Sequence, residues 1–253
     1  YIACSHTDPK VFTQLGEGLA EGARQSDISI SGGEISQIKE IISGIDLIGA
    51  CIGHVSLDRV NTGKDIKPGN LIVGLASSGV HSNGLTLARR VLLGDTIEEQ
   101  KSRVNDYEEF LDQTLGEALL VPTQIYVKPV MEMLDSGIDL KAMVHITSGG
   151  FCNLNRVECD NIRFVIDNLQ PVHEIFNLIQ DRGGVSEAEM FEVFNMGTGF
   201  CLIVEGAKEV DAIAEVCKTY NLSSQVIGKI EEFQGKEVFL PQKQLTGKGS
   251  RFT

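Results

Sequence analysis

One turn in this sequence carries the side chains best suited to binding an anion. The apolar run Leu71–Ala76 stops in a polar turn that contains Ser78 and His81, and a helical pattern follows it. A helix N-terminus presents free backbone N–H groups and a partial positive charge, which favour phosphate, and a histidine beside it can hydrogen-bond to the ligand or exchange a proton with it. Ser82 or Asn83 is available as the helix cap. Taken alone, such a turn is more often an ordinary capped connection that binds nothing.

A second junction has a similar composition. An apolar stretch ends at His145 and is followed by Thr147, Gly149 and Gly150, so hydroxyl groups, backbone amides and a histidine again gather where a strand gives way to a short helix. The glycine-bearing loop 194–199 precedes another apolar strand. Glycines allow positive φ and a close approach of backbone to a ligand, but each junction by itself is also compatible with a plain turn.

A carboxylate in a third glycine-rich segment is a candidate metal ligand. Glu34 follows Gly32 and Gly33, where it either binds a metal ion or simply ends a strand. The six cysteines show no C-x-x-C pair and the five histidines no ligand spacing, so a zinc site has little support. The chain also lacks the P-loop, the G-x-G-x-x-G fingerprint, the G-x-S-x-G elbow and the kinase signature.

Charge and composition narrow the class of protein. The 253 residues carry a formal net charge of -13, which argues against a nucleic-acid surface because phosphate backbones need clustered lysine and arginine. No run of about 18 apolar residues occurs, so we expect no membrane-spanning helix. Scattered cysteines within apolar stretches fit reduced thiols in a cytoplasmic protein.

The elements that must position these residues follow from hydrophobic periodicity. We predict a helix from Pro9 to about Ser26, strands at 27–31 and 45–55, and a domain boundary after Lys67, within the turn-rich segment 61–69. After it, strands and helices alternate in a pattern typical of an α+β layer structure. The predicted helices there lie at about 84–93, 106–117, 122–135, 150–157, 171–181, 186–193 and 207–219, and the predicted strands at 71–76, 139–146, 161–165, 199–205, 224–231 and, as an edge strand, 238–240. Residues 241–253 are polar and are expected to form a flexible tail.

Four motifs in order are more specific than any one of them. They are Ser77-Ser-Gly-Val-His-Ser-Asn-Gly84, Leu120-Val-Pro-Thr-Gln-Ile-Tyr-Val-Lys128, His145-Ile-Thr-Ser-Gly-Gly-Phe151 and Phe194-Asn-Met-Gly-Thr-Gly-Phe200. Together they resemble the phosphoribosylformylglycinamidine cyclo-ligase (aminoimidazole ribonucleotide synthetase) family, over about residues 1–230. The second motif distinguishes this family from relatives with the same fold.

The resemblance implies an enzyme of purine biosynthesis that uses ATP and Mg²⁺ to close the ring of formylglycinamidine ribonucleotide, giving aminoimidazole ribonucleotide. It also implies a homodimer formed through the N-terminal domain. Residues 1–67 would be the latter half of that barrel-forming, ATP-binding domain, and 68–240 a complete C-terminal synthetase-like domain.

The resemblance also assigns roles to residues. His81 would be catalytic, and a set of loop residues would bind substrate or phosphate: Ser78, Ser82, Asn83, Gly84, His145, Thr147, Gly149 and Gly150. Gly32, Gly33 and Glu34 would lie on the ATP and metal side, with Glu34 as a metal ligand.

Some residues depart from the family pattern. Ser148 stands where the family usually has a third glycine, and Ile35-Ser36-Gln37 replaces the residues that usually follow the Gly-Gly-Glu loop. The Gly-Thr-Asp-Gly-Val-Gly-Thr-Lys segment of the family does not occur in the sequence. We therefore expect that the sequence lacks the N-terminal part of its first domain. The alternatives are a non-catalytic nucleotide- or partner-binding module of the same fold, or a sister-family kinase, dikinase or amidotransferase synthetase.

Overall fold

A computed structural model describes all residues, 1–253, and the chain divides into two compact units. The first unit comprises Tyr1–Val60 and Ile125–Met131, and the second comprises Asn61–Gln124 and Glu132–Thr253. The sequence placed the boundary after Lys67, seven residues later, and did not foresee that the segment 125–131 groups with the first unit. No helix has the length and hydrophobicity needed to cross a membrane.

The first unit contains a three-stranded sheet and one long helix. Strand β1 (Ile2–Cys4) lies between β2 (Ile35–Gln37), which is parallel to it, and β3 (Ile45–Leu47), which is antiparallel. Helix α1 (Pro9–Ser26) begins where the Asp8 carboxylate accepts a hydrogen bond from the backbone N–H of Lys10 at 2.9 Å. Proline in the first turn after an aspartate cap is a typical helix start, and the predicted helix is confirmed.

The prediction of two strands in this unit was largely wrong. Residues 27–31 form no strand, and of the strand predicted at 45–55 only β3 pairs with a neighbour. The apolar side chains beyond it are exposed, and that of Ile52 is 96% accessible. A run of apolar residues favours burial, but a strand forms only where a neighbouring strand pairs with its backbone N–H and C=O groups.

The second unit is built on an eight-stranded sheet. The strands of this unit, including a separate two-stranded ladder of β5 and β6, are β4 (Leu71–Ala76), β5 (Tyr107–Glu108), β6 (Gln113–Thr114), β7 (Leu140–His145), β8 (Ile162–Ile166), β9 (Thr198–Val204), β10 (Ser224–Glu232), β11 (Lys236–Leu240), β12 (Leu245–Lys248) and β13 (Arg251–Phe252). In the large sheet they run in the order β13-β12-β11-β8-β10-β4-β9-β7, and neighbours are antiparallel except for β8 and β11.

Helices and five buried phenylalanines complete the core of the second unit. The remaining helices of the chain are α2 (Leu85–Leu93), α3 (Ile97–Arg103), α4 (Leu115–Leu119), α5 (Val127–Asp135), α6 (Glu174–Gly183), α7 (Glu187–Val193) and α8 (Ala207–Thr219), with 3-10 turns at Leu57–Arg59, Gly150–Arg156 and Pro241–Lys243. Phe151, Phe164, Phe176, Phe191 and Phe194 are fully buried in one cluster. The α+β class predicted from the alternating pattern is confirmed.

Several predicted elements after residue 96 need correction. Residues 106–117, predicted as one helix, form the β5–β6 hairpin and the short α4, while α3 was missed and α5 begins only at Val127. The supposed tail 241–253 instead supplies β12 and β13, and β11 lies inside the sheet. Leu245 and Phe252 are buried, and Thr246 and Thr253 exchange two backbone hydrogen bonds of 2.9 Å. Burial of these two side chains offsets the entropy of ordering a polar segment.

Candidate functional site

The turn predicted between a strand and a helix is present, but its cap is not the predicted one. Gly84 occupies the N-cap position of α2 with φ +84°, and no side chain caps the helix. Asn83 Nδ2 instead donates to the Val193 carbonyl at 2.6 Å, and Ser82 Oγ lies 3.2 Å from the hydroxyl of Thr123. The first amides of α2 therefore have no side-chain acceptor, and an anion can take that place.

Gly84 is required at this cap. A Cβ there would lie 2.4 Å from the Phe194 ring, and the positive φ is itself unfavourable for other residues. The missing side chain thus allows the start of α2 to pack directly on a buried aromatic ring.

The His81 ring is buried and its hydrogen bonds fix its tautomer. The backbone N–H of Ser78 donates to Nε2 at 3.1 Å, while Ser78 Oγ lies 3.1 Å from Nε2 and donates to the Pro122 carbonyl at 2.7 Å. Because a backbone N–H can only donate, Nε2 is an acceptor and the proton of the neutral ring is on Nδ1. Nδ1 is buried and has no protein partner. The turn therefore contains a buried N–H donor that no protein group uses.

Electrostatics keep His81 neutral. Burial, followed by the charges of His145 and His173, lowers the pKa of His81 from 6.5 to about 4. Loss of hydration penalises the imidazolium, and neighbouring histidines repel a further positive charge. At neutral pH the ring is consequently uncharged, and its Nδ1–H is an available hydrogen-bond donor.

Two residues that sequence reasoning left without a role hold this turn in place. Asn195, buried, donates from Nδ2 to the Gly79 carbonyl at 2.9 Å and accepts from the Gly197 amide at 3.0 Å. His173 Nε2 lies 2.9 Å from the Ser77 carbonyl and donates to it. Asn195 lies within the fourth motif, which was the available signal, whereas nothing in the local sequence marked His173.

The second predicted loop is fixed by a buried asparagine. The side-chain oxygen of Asn153 accepts from the Thr147 amide at 2.7 Å, and its Nδ2 donates to the Ser148 carbonyl at 3.0 Å. Gly149 and Gly150 have φ of +96° and +52°, and a Cβ on Gly150 would lie 1.7 Å from the Phe191 carbonyl oxygen. Only glycine fits there, so the close approach of backbones is built into the fold.

The two predicted loops meet on one segment, residues 191–195. The Val193 carbonyl receives Asn83, the Glu192 carbonyl accepts from the Gly149 amide at 2.7 Å, and Gly150 lies against the Phe191 carbonyl. The structure therefore brings together the two loops whose residues were predicted to bind substrate or phosphate.

His145 stands at the end of β7, beside the second loop. Its ring stacks on that of Phe200 with centroids 6.0 Å apart. Burial, and secondarily the charge of Arg156, lowers the pKa of His145. The ring is therefore biased towards its neutral form.

The segment Gly32–Glu34 lies in the first compact unit. Glu34 is exposed, and its carbonyl accepts from the Ile2 amide at 2.9 Å at the start of β2. No group of three or more histidine, cysteine, aspartate or glutamate side chains is close enough to hold a metal ion. The metal-ligand role of Glu34 stays a prediction.

All six cysteines are free thiols. Burial raises the pKa of Cys152 to about 12 and also raises the pKa of Cys201, so these thiols stay protonated and unreactive. Cys51, which the sequence placed in a buried strand, is exposed.

Comparison with known proteins finds one matching family model and similar enzymes that share one name. Residues 67–241 match the family model described as AIR synthase related protein, C-terminal domain. The chain is 44% identical over 231 residues to a phosphoribosylformylglycinamidine cyclo-ligase from Methanocaldococcus jannaschii, covering 91% of this chain and 64% of that relative. It is 40% identical over 247 residues to the enzyme of the same name from Methanopyrus kandleri, covering 95% of this chain and 68% of that relative.

Solved structures share the fold at low sequence identity. Thermotoga maritima PurL complexed with FGAR aligns with a TM-score of 0.55 at 14% identity, covering 96% of this chain and 36% of that one. Thiamine-monophosphate kinase from Stenotrophomonas maltophilia aligns with a TM-score of 0.56 at 17% identity, covering 96% and 71%.

Proposed function

This chain belongs to the phosphoribosylformylglycinamidine cyclo-ligase family, and we propose that the full-length protein carries out the ATP-dependent ring closure that the family name describes. The chain spans 64% of the length of the M. jannaschii relative, so the activity of the whole protein is inferred from family membership and from the site. The substrate would be formylglycinamidine ribonucleotide and the product aminoimidazole ribonucleotide.

One observation supports this function best: His81 holds a neutral, buried Nδ1–H donor beside a helix N-terminus that no side chain caps. When a phosphoryl group is transferred to an amide oxygen, the phosphoryl oxygens carry negative charge and more develops on the leaving oxygen of ADP. Preorganised donors and helix amides stabilise such charge without reorganising at the moment of reaction.

The proposed reaction has two steps. The formyl oxygen attacks the γ-phosphorus of ATP, the bond between that phosphorus and the bridging oxygen breaks, and ADP leaves. The amine nitrogen then attacks the activated formyl carbon, the carbon–oxygen bond breaks, inorganic phosphate leaves and the ring nitrogen loses a proton.

Residues of the two loops would have different roles in this reaction. The α2 amides and Ser82 would bind oxygens of the transferring phosphoryl group, and Nδ1 of His81 would donate to a further oxygen of that group. The turn of Thr147 and Gly149 would hold the substrate against this centre. Since Nε2 accepts from the Ser78 amide, His81 would not serve as a general base in this tautomer.

ATP and Mg²⁺ enter the proposal differently. ATP is a substrate, and the uncapped helix start offers donors that suit its phosphates. Mg²⁺ would neutralise phosphate charge when bound. Glu34 is the one residue proposed as its ligand, but no cluster of ligating side chains surrounds it, so we derive no step through the ion.

We also propose a homodimer formed through the first unit and a cytoplasmic location. Large apolar side chains of that unit are exposed, among them Ile30, Ile35 and Leu47, which fits a surface that another protein segment covers. Reduced cysteines are typical of cytoplasmic proteins, and all six are free here.

A coupled assay for ADP release tests the proposed reaction. We expect full-length protein to release ADP from ATP only when formylglycinamidine ribonucleotide is present, with aminoimidazole ribonucleotide formed in equal amount. Absence of substrate-dependent ADP would refute the cyclo-ligase assignment. ADP release that instead depends on a sister-family substrate such as thiamine monophosphate would indicate a kinase.

The His81→Ala variant tests the role of the turn. Loss of a donor to developing charge typically lowers kcat by about 10²- to 10³-fold, so we expect a decrease of that order in full-length protein. The matched control is His54→Ala, since His54 is exposed in the first unit. Unchanged kinetics for His81→Ala would mean that the turn is merely structural.

A further inference from the structure

A cavity at the free edge of the large sheet lies next to the second loop and shares His145 with it. Its volume is about 360 Å³, within the range of small-molecule sites, and it is lined by the segment Asn61–Thr62, by β7 residues from Ala142 to His145 and by Arg156–Glu158. β7 is the last strand of the sheet, so one side of its backbone has no neighbouring strand within this unit.

The walls of this cavity are held together by specific contacts. The Glu158 amide donates to the Thr62 carbonyl at 2.9 Å, and Asn61 Nδ2 donates to the Leu140 carbonyl at 2.5 Å. Gly63 has φ +82°, and a Cβ there would lie 2.6 Å from Cβ of Val157. Only glycine fits there, so the backbone next to Thr62 packs closely against Val157.

The polar groups in the cavity suit a phosphorylated sugar. Arg156 is exposed and makes no ion pair or side-chain hydrogen bond with the protein, although the chain has a net charge of -13. The Oγ1 atom of Thr62 is buried without a partner. A guanidinium binds phosphate in bidentate fashion, a hydroxyl donates to it, and a carboxylate such as that of Glu158 accepts from the hydroxyls of a ribose.

The strand edge adds backbone groups to the site. The Ile146 amide donates to the Gly199 carbonyl of the neighbouring segment at 2.9 Å, so alternate residues of β7 direct their N–H and C=O groups towards β9. By this alternation those of Met143 point to the free edge, where the cavity lies. A ligand with donors and acceptors along one side can pair with that edge.

The ring-closing reaction needs two phosphate-bearing molecules at the same time, and therefore two anion sites. The phosphoryl group that reacts must lie near His81 and the start of α2. The 5′-phosphate of the ribonucleotide takes no part in bond making, so it can be bound at a distance and contribute binding energy.

We propose that this cavity binds the ribose 5-phosphate portion of the ribonucleotide substrate, with Arg156 on the phosphate and Glu158 on the ribose hydroxyls. The assignment to that substrate rests on the proposed function. The anion-binding role of Arg156 rests on the cavity alone.

Steady-state kinetics of Arg156→Gln in full-length protein test the assignment. Loss of charge-assisted hydrogen bonds to the phosphate should raise KM for formylglycinamidine ribonucleotide by about 10- to 100-fold, while KM for ATP stays within about twofold. Arg156→Lys should recover part of the loss. The matched control is Arg103→Gln, because Arg103 lies on the surface of α3 and its nearest carboxylate, that of Asp106, is 3.9 Å away.

Calorimetry with ribose 5-phosphate separates failure of this inference from failure of the proposed function. Weaker binding to Arg156→Gln than to wild type, with equal melting temperatures, would support the site even if wild-type protein showed no turnover. Unchanged binding and an unchanged ribonucleotide KM in Arg156→Gln would overturn the inference. A rise confined to the ATP KM would also overturn it, because the cavity would then bind the other substrate.

Discussion

The buried neutral state of His81 predicts a measurable dependence of stability on pH. Its pKa falls from 6.5 in the unfolded chain to about 4 in the folded protein, first because of burial and then because of the neighbouring histidine charges. Between these values the unfolded chain binds a proton that the folded protein does not, so the free energy of unfolding decreases as pH falls through this window. Between about pH 7 and about pH 5 this histidine alone should remove about 2 kcal/mol of stability.

The His81→Asn variant isolates this contribution. The asparagine side chain no longer titrates, and its amide nitrogen can take the position of the Nδ1–H donor. Urea unfolding followed by circular dichroism, at several pH values from about 7 to 5, should show wild type losing about 2 kcal/mol more than the variant. Other titrating groups, His145 among them, are present in both proteins and largely cancel in the comparison.

The control for this experiment is His54→Asn, which removes an exposed histidine of the first unit and should follow wild type. Parallel pH profiles for wild type and His81→Asn would refute the reasoning. They would mean that the imidazole titrates equally in folded and unfolded protein, so that it is not held as a neutral donor.

The remaining predictions concern glycine fit, a buried charge and assembly. Gly150→Ala should destabilise the protein by more than about 3 kcal/mol in urea unfolding, because its Cβ would lie 1.7 Å from a backbone oxygen, whereas Gly184→Ala, at φ +55° in open space, should cost about 1 kcal/mol. Equal losses of stability in the two glycine variants would show that the positive φ, and not the close contact of the Cβ, determines the cost. Glu237→Gln leaves Arg163, 2.7 Å away, without its buried counter-charge and should cost about 1–3 kcal/mol by the same assay, while the surface control Glu215→Gln should cost less than about 1 kcal/mol. Light scattering of full-length protein should give the mass of a dimer, and a monomer at all concentrations would contradict the proposed assembly.

Local sequence signals predicted the strand and helix that position His81, but not the contacts around it. Asn83 is an acceptable helix cap by its chemistry, yet its amide donates to Val193, 110 positions further along the chain. No local pattern reveals such a partner. Burial of His81 and the orientation given by the Ser78 amide likewise depend on the folded turn.

Other errors arose although a local signal was present. Thr96 with Glu99, and Thr114 with Glu117, form capping boxes that mark the starts of α3 and α4, so both starts were available from the sequence. Weighting these polar signals against apolar periodicity would have divided the helix predicted at 106–117. The order of β11, β12 and β13 in the sheet is a different case, because strand pairing over long range is not encoded in spacing.

The segment 191–195 explains how a site built from distant loops is held in one arrangement. Three successive carbonyls, those of Phe191, Glu192 and Val193, contact Gly150, Gly149 and Asn83 respectively. These carbonyls lie at the C-terminal end of α7, where helix carbonyls lack intrahelical partners and seek donors elsewhere. The end of one helix thereby supplies acceptors to the loop that precedes another, and the asparagine used in this way is no longer available to cap α2. The exposed amides at the start of α2 thus follow directly from the packing that joins the two loops.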